Sequence, residues 1–198
     1  MNKILKSLIL ISALFVSVYA IFVYGFLELG IAVHPMMKAS FKAHPIGIYL
    51  HVFSSLIALA TGPFQFNEKL RNNKIHLHRL VGKIYLICIL IGGLSGFYMA
   101  LFSFGGMISH LGFGLLAVLW IFTGYKAYSS IIRKMVQVHY NWMVINYALT
   151  FAAVTLRIGL GLGFASGIPF EVFYPNLAWL CWIPNLIVAL MIVRKGGD

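Results

Sequence analysis

The feature that most constrains this chain is a series of six apolar stretches, each long enough to cross a lipid bilayer. The stretches cover residues 7–29, 47–66, 80–104, 107–129, 141–165 and 177–193. A bilayer crossing takes about 20 predominantly apolar residues. We therefore expect an all-α bundle of six membrane-spanning helices in which residues 1–198 form a single integral-membrane domain surrounded by lipid.

Positive charge is distributed unevenly among the segments that connect these stretches. If the N-terminus is cytoplasmic, twelve Lys and Arg residues lie on the cytoplasmic side, and only Lys38 and Lys42 lie on the external side. Cytoplasmic loops of membrane proteins carry an excess of Lys and Arg. We expect both termini in the cytoplasm and a multi-pass protein of the inner (plasma) membrane.

The formal net charge of +11 raises the question of nucleic-acid binding. The 15 Lys and Arg residues are scattered between apolar runs and form no basic tract, so we expect no nucleic-acid partner. No phosphate-binding loop, catalytic-serine elbow or His-Glu-x-x-His sequence occurs. Cys88 and Cys181 lie inside apolar runs, and we interpret both as small buried groups.

Four histidines are distributed in a regular way over four consecutive spans. His51 and His110 lie near the external ends of spans two and four, whereas His78 and His139 lie at the cytoplasmic starts of spans three and five. These four spans, about residues 47–165, form the predicted histidine-bearing core of the bundle.

Helical spacing places small and polar residues on the same face as each histidine. Ser55 follows His51 in this way, Gly82 follows His78, and Gly114 follows His110. One interpretation is structural, since small and polar faces let membrane helices pack closely and hydrogen-bond to one another. Histidines near a membrane surface are also commonly solvated, so each of them has an ordinary structural explanation.

The alternative interpretation is that facing histidines are axial ligands of haem b. Alternate helices start on the same side of the membrane, so His51 pairs with His110 externally and His78 pairs with His139 near the cytoplasm. Gly82 and Gly114, one turn after their histidines, then leave room for the flat macrocycle. The layout predicts one or two haems and a role in moving electrons.

Arg157 is the only charged residue deep within a span, and such charges are commonly functional. At 1.5 Å per residue it lies about 27 Å along the helix from His139, close to the external side. Its predicted partners are a propionate of an external haem, Glu171 or Glu28. An ordinary structural ion pair explains the same residue.

Two further histidines suggest a different ligand. The external segment His34-Pro35-Met36-Met37, followed by His44, has thioether and imidazole groups that suit copper. The same residues fit an interfacial loop equally well. The alternative function is therefore the handling of a non-haem metal or assistance in the assembly of an oxidase. In that case the four core histidines are the metal ligands.

Three segments carry a resemblance to a known family. They are His78-Arg79-Leu80-Val81-Gly82-Lys83-Ile84-Tyr85 (residues 78–85), Gly62-Pro63-Phe64-Gln65-Phe66, and the stretch from His139 to Arg157. They resemble a bacterial family of predicted membrane proteins classed as a domain of unknown function, DUF2306. The resemblance covers about residues 47–190. The resemblance implies the fold of a membrane protein, and it does not imply any activity.

The arrangement of histidines on alternate helices is also similar to that of the six-helix b-type cytochromes, which pass electrons from ascorbate across membranes. This second resemblance implies two haems held by spans two to five and a transmembrane oxidoreductase activity. The expected function is electron transfer from a quinol or a cytoplasmic donor to an external acceptor, with a quinone or a redox protein as partner.

Overall fold

Six helical segments are long and apolar enough to cross a membrane, in agreement with the sequence prediction. The computed structural model describes residues 3–195, and no strand occurs in this part of the chain. The helices are α1 (Lys3–Phe26), α2 (Pro35–Ala43), α3 (Pro45–Gln65), α4 (Glu68–Asn73), α5 (Ile75–Ala100), α6 (Gly106–Ile132), α7 (Val136–Thr150), α8 (Ala152–Ala165), α9 (Phe170–Leu180) and α10 (Ile183–Lys195).

Two of the six spans are interrupted helices. The fifth span consists of α7 and α8, which meet at Phe151, and the sixth consists of α9 and α10, which are separated by two residues. Pro184 lies directly after the second break, where it has no N–H to donate to the carbonyl of Leu180. The sixth span also starts at Phe170, seven residues before the predicted position, because Pro175 is accommodated inside α9.

The connections fall at two ends of the bundle. Helix α2 and the connections at residues 101–105 and 166–169 form one end, which we call the α2 end. Ser40 donates a hydrogen bond to the Phe102 carbonyl there, and the His34 ring stacks on Phe170. Helix α4 and residues 133–135 form the opposite end, which we call the α4 end.

The four helices that carry the predicted histidines are neighbours around a central axis. Helix α3 packs along α5, α5 along α6, and α6 along α7, while α7 also contacts α3. Helix α1 lies against α3, and α9 and α10 lie against α6, α7 and α8. Consequently α3 faces α6 and α5 faces α7 across the axis, as the pairing of alternate helices requires.

A buried hydrogen-bond network joins three of these helices. The Tyr85 hydroxyl donates to Asn146 Oδ1 at 2.6 Å, and the Trp120 indole N–H donates to Thr150 Oγ1 at 2.8 Å. Asn146 Nδ2 in turn donates to the Trp120 carbonyl and to Thr123 Oγ1. The structural interpretation of the polar faces is therefore confirmed for these residues, which hold α5, α6 and α7 together.

Candidate functional site

A cavity of about 470 Å³ lies in the half of the bundle nearer the α2 end. Its walls come from α1, α3 and α5 to α9, and residues of α2 line it as well. Trp120 and Thr150 of the central network also line it, so the network closes the cavity toward the middle of the bundle. The lining is mainly aromatic and aliphatic, with a few polar groups, as is usual for a cofactor site.

His51 is held in the cavity wall by a hydrogen bond to the neighbouring helix. Its Nδ1 donates to the main-chain carbonyl of Gly92 at 2.9 Å. Gly96, one turn further along α5, makes room for the ring, since a Cβ there would lie 2.8 Å from His51 Nδ1. The hydrogen bond places the proton on Nδ1 and leaves Nε2 with its lone pair available to a ligand.

Arg157 lines the same cavity, as its predicted position near His51 requires. Its Nη1 donates to the Ala153 carbonyl at 2.9 Å, and its guanidinium carbon lies 6.0 Å from the centre of the Tyr19 ring. Neither predicted carboxylate is its partner: among residues 3–195, the one ion pair joins Lys42 to Glu28 at 2.6 Å. The interpretation of Arg157 as half of an ordinary ion pair with Glu28 or Glu171 is therefore wrong.

The ion pair at Glu28 is a feature of the exposed α2 end. A hydrogen bond from Lys42 and the positive charge of that residue lower the pKa of the Glu28 carboxyl from its usual value. Glu28 is thus an ionised surface group that is already paired with Lys42. The ion pair lies within the segment that connects α1 to α3.

Three buried polar atoms of cavity-lining residues have no hydrogen-bond partner. They are His34 Nδ1, Ser55 Oγ and Arg157 Nε. Buried polar groups in proteins are nearly always paired, and the exceptions call for an explanation such as a bound ligand. No carboxylate from the described part of the chain lines the cavity, so its electrostatic character is set by Arg157 and favours an anion.

His110 lies beside this cavity, although it is not among the lining residues. Its Nε2 donates to the Ser103 carbonyl at 3.0 Å, and Ser103 does line the cavity. Phe113, one turn along the same face of α6, lines it as well. Gly114 is buried, and a Cβ there would have Phe97 at 3.8 Å as its nearest neighbour.

His78 and His139 both lie at the α4 end, in the first turns of α5 and α7. His139 Nδ1 donates to the Ala127 carbonyl at 2.8 Å, whereas His78 Nδ1 is buried without a partner. The space next to Gly82 holds the Gln65 side chain, whose Oε1 would lie 3.0 Å from a Cβ at this glycine. Gly82 therefore accommodates Gln65 of α3 rather than leaving open space beside His78.

The histidines of the suggested copper site lie apart from one another in separate aromatic surroundings. The His34 ring stacks on Phe170 at 3.9 Å, and the His44 ring stacks on Phe102 at 3.9 Å. Throughout the stretch from Lys3 to Lys195, no three His, Cys, Asp or Glu side chains gather in a way that could hold a metal ion. Cys88 and Cys181 are free and buried, as predicted.

Sequence reasoning did not identify the cavity as a whole. Tyr19 and Tyr24 enter it from α1, outside the four-helix core, and His34 enters it from the connection before α2. These contacts join segments that are distant in the sequence, so no local spacing indicates them. Ser55 was detectable, since it lies one helical turn after His51.

Comparison with known proteins gives a family and no characterised relative. No curated protein and no solved structure matches the chain. The model of a family described as "Predicted membrane protein (DUF2306)" matches residues 48–193, which include every helix of the histidine-bearing core apart from the first residues of α3. The chain therefore belongs to the DUF2306 family of predicted membrane proteins.

Proposed function

We propose that the protein binds one haem b in the cavity at the α2 end and transfers electrons between a donor in or at the membrane, such as a quinol, and an acceptor at the α2 end. The observation that carries this proposal is the combination of His51 and Arg157 in one cavity. His51 has one ring nitrogen fixed by the Gly92 carbonyl, and Arg157 has no carboxylate partner in the described chain.

The hydrogen bond of His51 is the kind that metal-binding histidines make. A histidine that ligates a metal almost always donates its other ring N–H to a carbonyl or carboxylate, which fixes the ring orientation. His51 meets this requirement through Gly92, and His110 makes an equivalent bond to Ser103. His51 and His110, on the facing helix, are the residues that would hold the haem iron.

The other cavity residues suit the remainder of a haem. The volume of about 470 Å³ lies within the range of roughly 300–1,000 Å³ typical of cofactor sites. The apolar and aromatic walls suit a flat macrocycle, and the free Nε of Arg157 suits a propionate. Ser55 Oγ, a second unpaired group, supplies a further hydrogen bond to an oxygen atom.

A bound haem supplies a one-electron redox couple whose potential depends on its axial ligands, its surroundings and its exposure to water. The chain supplies the rest of the function. His51 and Gly92 fix the ligand geometry, Arg157 balances negative charge, and the Trp120–Thr150 pair closes the cavity toward the middle of the bundle.

One haem fits the geometry better than two. At the α4 end Gln65 lies against Gly82, in the space that a second macrocycle beside His78 requires. The non-haem metal alternative has less support, because within residues 3–195 no cluster of three typical metal ligands is present. Haem needs only one or two protein ligands, which is what the α2 end offers.

The distribution of charge supports the orientation and the location. The α4 end carries Lys69, Arg71, Arg133 and Lys134 among its basic residues, whereas the α2 end carries only Lys38 and Lys42. By the positive-inside rule this difference supports a cytoplasmic α4 end, and we propose a location in an inner or plasma membrane.

The pairing of ligands is tested by substitution of single histidines. His51→Ala and His110→Ala are each purified after expression with added haem precursor, and their absorption spectra are compared with that of the wild type. His44→Ala is the matched control, since His44 is also at the α2 end but is not among the residues that line the cavity.

We expect the two test variants to lose the same haem component and the control to keep it. Loss of different components in the two variants contradicts the pairing. Retention of an unchanged spectrum in His51→Ala contradicts the assignment of the site.

A further inference from the structure

We propose a second binding site, at the α4 end, that takes an anionic phosphate group at the level of the lipid headgroups. The site is formed by Gln65 at the end of α3 and His78 in the first turn of α5, beside the basic helix α4. It is separate from the cavity that contains His51 and does not depend on haem binding.

The first observation that supports this site concerns the burial of the Gln65 side chain. The residue is only 9% exposed, and its Nε2 is buried with no hydrogen-bond partner. Its other amide atom, Oε1, lies against Gly82, so the side chain extends across the face of α5 that carries His78 one turn earlier. A buried amide N–H₂ without an acceptor destabilises the fold, and a bound oxygen atom removes that penalty.

The second observation concerns the ring of His78, which belongs to a different helix. Its Nδ1 is likewise buried without a partner. The residue lies in the first turn of α5, where main-chain N–H groups and the helix dipole favour an anion. Two unpaired polar atoms thus belong to residues on or beside the same face of α5, His78 on that face and Gln65 packed against Gly82 one turn later, and the proposed oxyanion group bonds to both.

The surrounding charges indicate the kind of ligand. Arg71 lies on α4, which packs against α5, and Arg79 directly follows His78 in α5. Between residues 66 and 84 there are five Lys and Arg residues and one acidic residue, Glu68. A neutral ligand gains little from this field, whereas an anion with several acceptor oxygens gains Coulomb energy and hydrogen bonds together.

The depth of the site indicates where the ligand comes from. Gln65 ends one span and His78 lies four residues into the next, so both are at the boundary of the apolar core. Phospholipid phosphates occupy this level of a bilayer, and basic pockets between membrane helices bind anionic headgroups. A soluble phosphate has the same chemistry and reaches the site from the aqueous side.

The experiment measures the midpoint of thermal unfolding of the full chain in nanodiscs. One arm compares phosphatidylglycerol with phosphatidylcholine, and the other adds inorganic phosphate to phosphatidylcholine discs, with sodium chloride at equal ionic strength as reference. Gln65→Leu removes the buried amide at nearly constant volume. Gln137→Leu removes an exposed amide in the first turn of α7, near the same end, and is the matched control.

We expect at least one arm to raise the midpoint of the wild type by about 3 °C or more, and this rise to fall by at least half in Gln65→Leu but not in Gln137→Leu. A rise with phosphatidylglycerol alone assigns the ligand to a lipid, and a rise with phosphate alone assigns it to a soluble anion. No rise in either arm, or an equal rise in both variants, overturns the proposal.

A second variant covers the case in which Gln65→Leu does not fold. Arg71→Gln alters only α4, a helix with no buried residues, so the bundle is expected to fold normally. The proposal requires a reduced rise in this variant, and a rise equal to that of the wild type contradicts it.

Discussion

His51 and Gly92 are joined by a hydrogen bond of 2.9 Å from the imidazole Nδ1 to a main-chain carbonyl in the middle of a neighbouring helix. That carbonyl belongs to a regular part of α5, so it is a rigid acceptor that fixes the ring against one wall of the cavity. The proposed role of His51 depends on this hydrogen bond, because the bond occupies Nδ1 and leaves Nε2 of the ring free to bind a ligand.

The first prediction concerns the glycine that makes room for this ring. A Cβ at Gly96 would lie 2.8 Å from His51 Nδ1, so Gly96→Ala displaces the imidazole and breaks its bond to Gly92. We expect haem affinity to fall roughly 10–100-fold, the usual effect of losing the hydrogen bond that orients a metal-binding histidine. Haem titration of the apoprotein measures it.

Gly161→Ala is the control for this prediction. A Cβ at Gly161 meets nothing within 4 Å, so haem affinity should stay at the wild-type value. Equal affinities for Gly96→Ala and Gly161→Ala would show that the position of the His51 ring does not matter for binding.

The second prediction concerns the unpaired charge of Arg157. Arg157→Gln removes a positive charge from the cavity, which favours the oxidised form of a bound haem. We expect the reduction potential to fall on the order of 60 mV, equivalent to a tenfold change in a one-electron equilibrium. Redox titration followed by visible absorbance measures the shift.

Arg133→Gln serves as the control, since Arg133 is exposed at the α4 end and carries the same charge. The reduction potential of haem bound to Arg133→Gln should match that of haem bound to the wild type. A potential in Arg157→Gln that is unchanged or higher argues against a haem beside this residue.

The third prediction concerns the central network. Asn146 is fully buried and bonds to Tyr85, to Thr123 and to the Trp120 carbonyl. Asn146→Ala removes three buried hydrogen bonds between helices, and we expect the free energy of unfolding to fall by about 1–3 kcal/mol. Unfolding in mixed micelles with increasing denaturing detergent measures the loss.

Asn176→Ala provides the comparison, because Asn176 is exposed on α9 and bonds only within its own turn. Its effect should stay within about 0.5 kcal/mol. If the two variants unfold alike, the network does not stabilise the bundle.

The fourth prediction concerns orientation. Lys38→Cys places a thiol at the α2 end, and Lys134→Cys places one in the connection between α6 and α7. The native cysteines are buried, so a membrane-impermeant maleimide should label only the introduced thiol. We expect Lys38→Cys to react in intact cells and Lys134→Cys to react only after permeabilisation. The reverse pattern places the α4 end outside.

The sequence was sufficient to predict the number of spans and the helix faces that turn inward. Helical spacing puts Gly92 on the face of His78, and Asn146 and Thr150 on the face of His139, and all three residues are buried in the structure. This succeeds because a helix has a fixed period and lipid excludes unpaired polar groups. The interruptions at Phe151 and near Pro184 shift the ends of spans without changing these faces.

The partners of individual side chains could not be predicted in the same way. That Gln65 occupies the space beside Gly82, and that Tyr19 of α1 faces Arg157, depends on how distant helices meet. Helical spacing describes one helix at a time, so it gave the positions of the histidines but not the shape or composition of the cavity between them.

The most direct test of the account is a pair of visible absorption spectra, oxidised and dithionite-reduced, of the wild-type protein purified after expression with adequate haem supply. The account predicts a Soret band and redox-dependent bands in the visible region, with haem and protein present in equimolar amounts. Protein that is folded and saturated with added haemin yet has no Soret band above that of free haemin would contradict it.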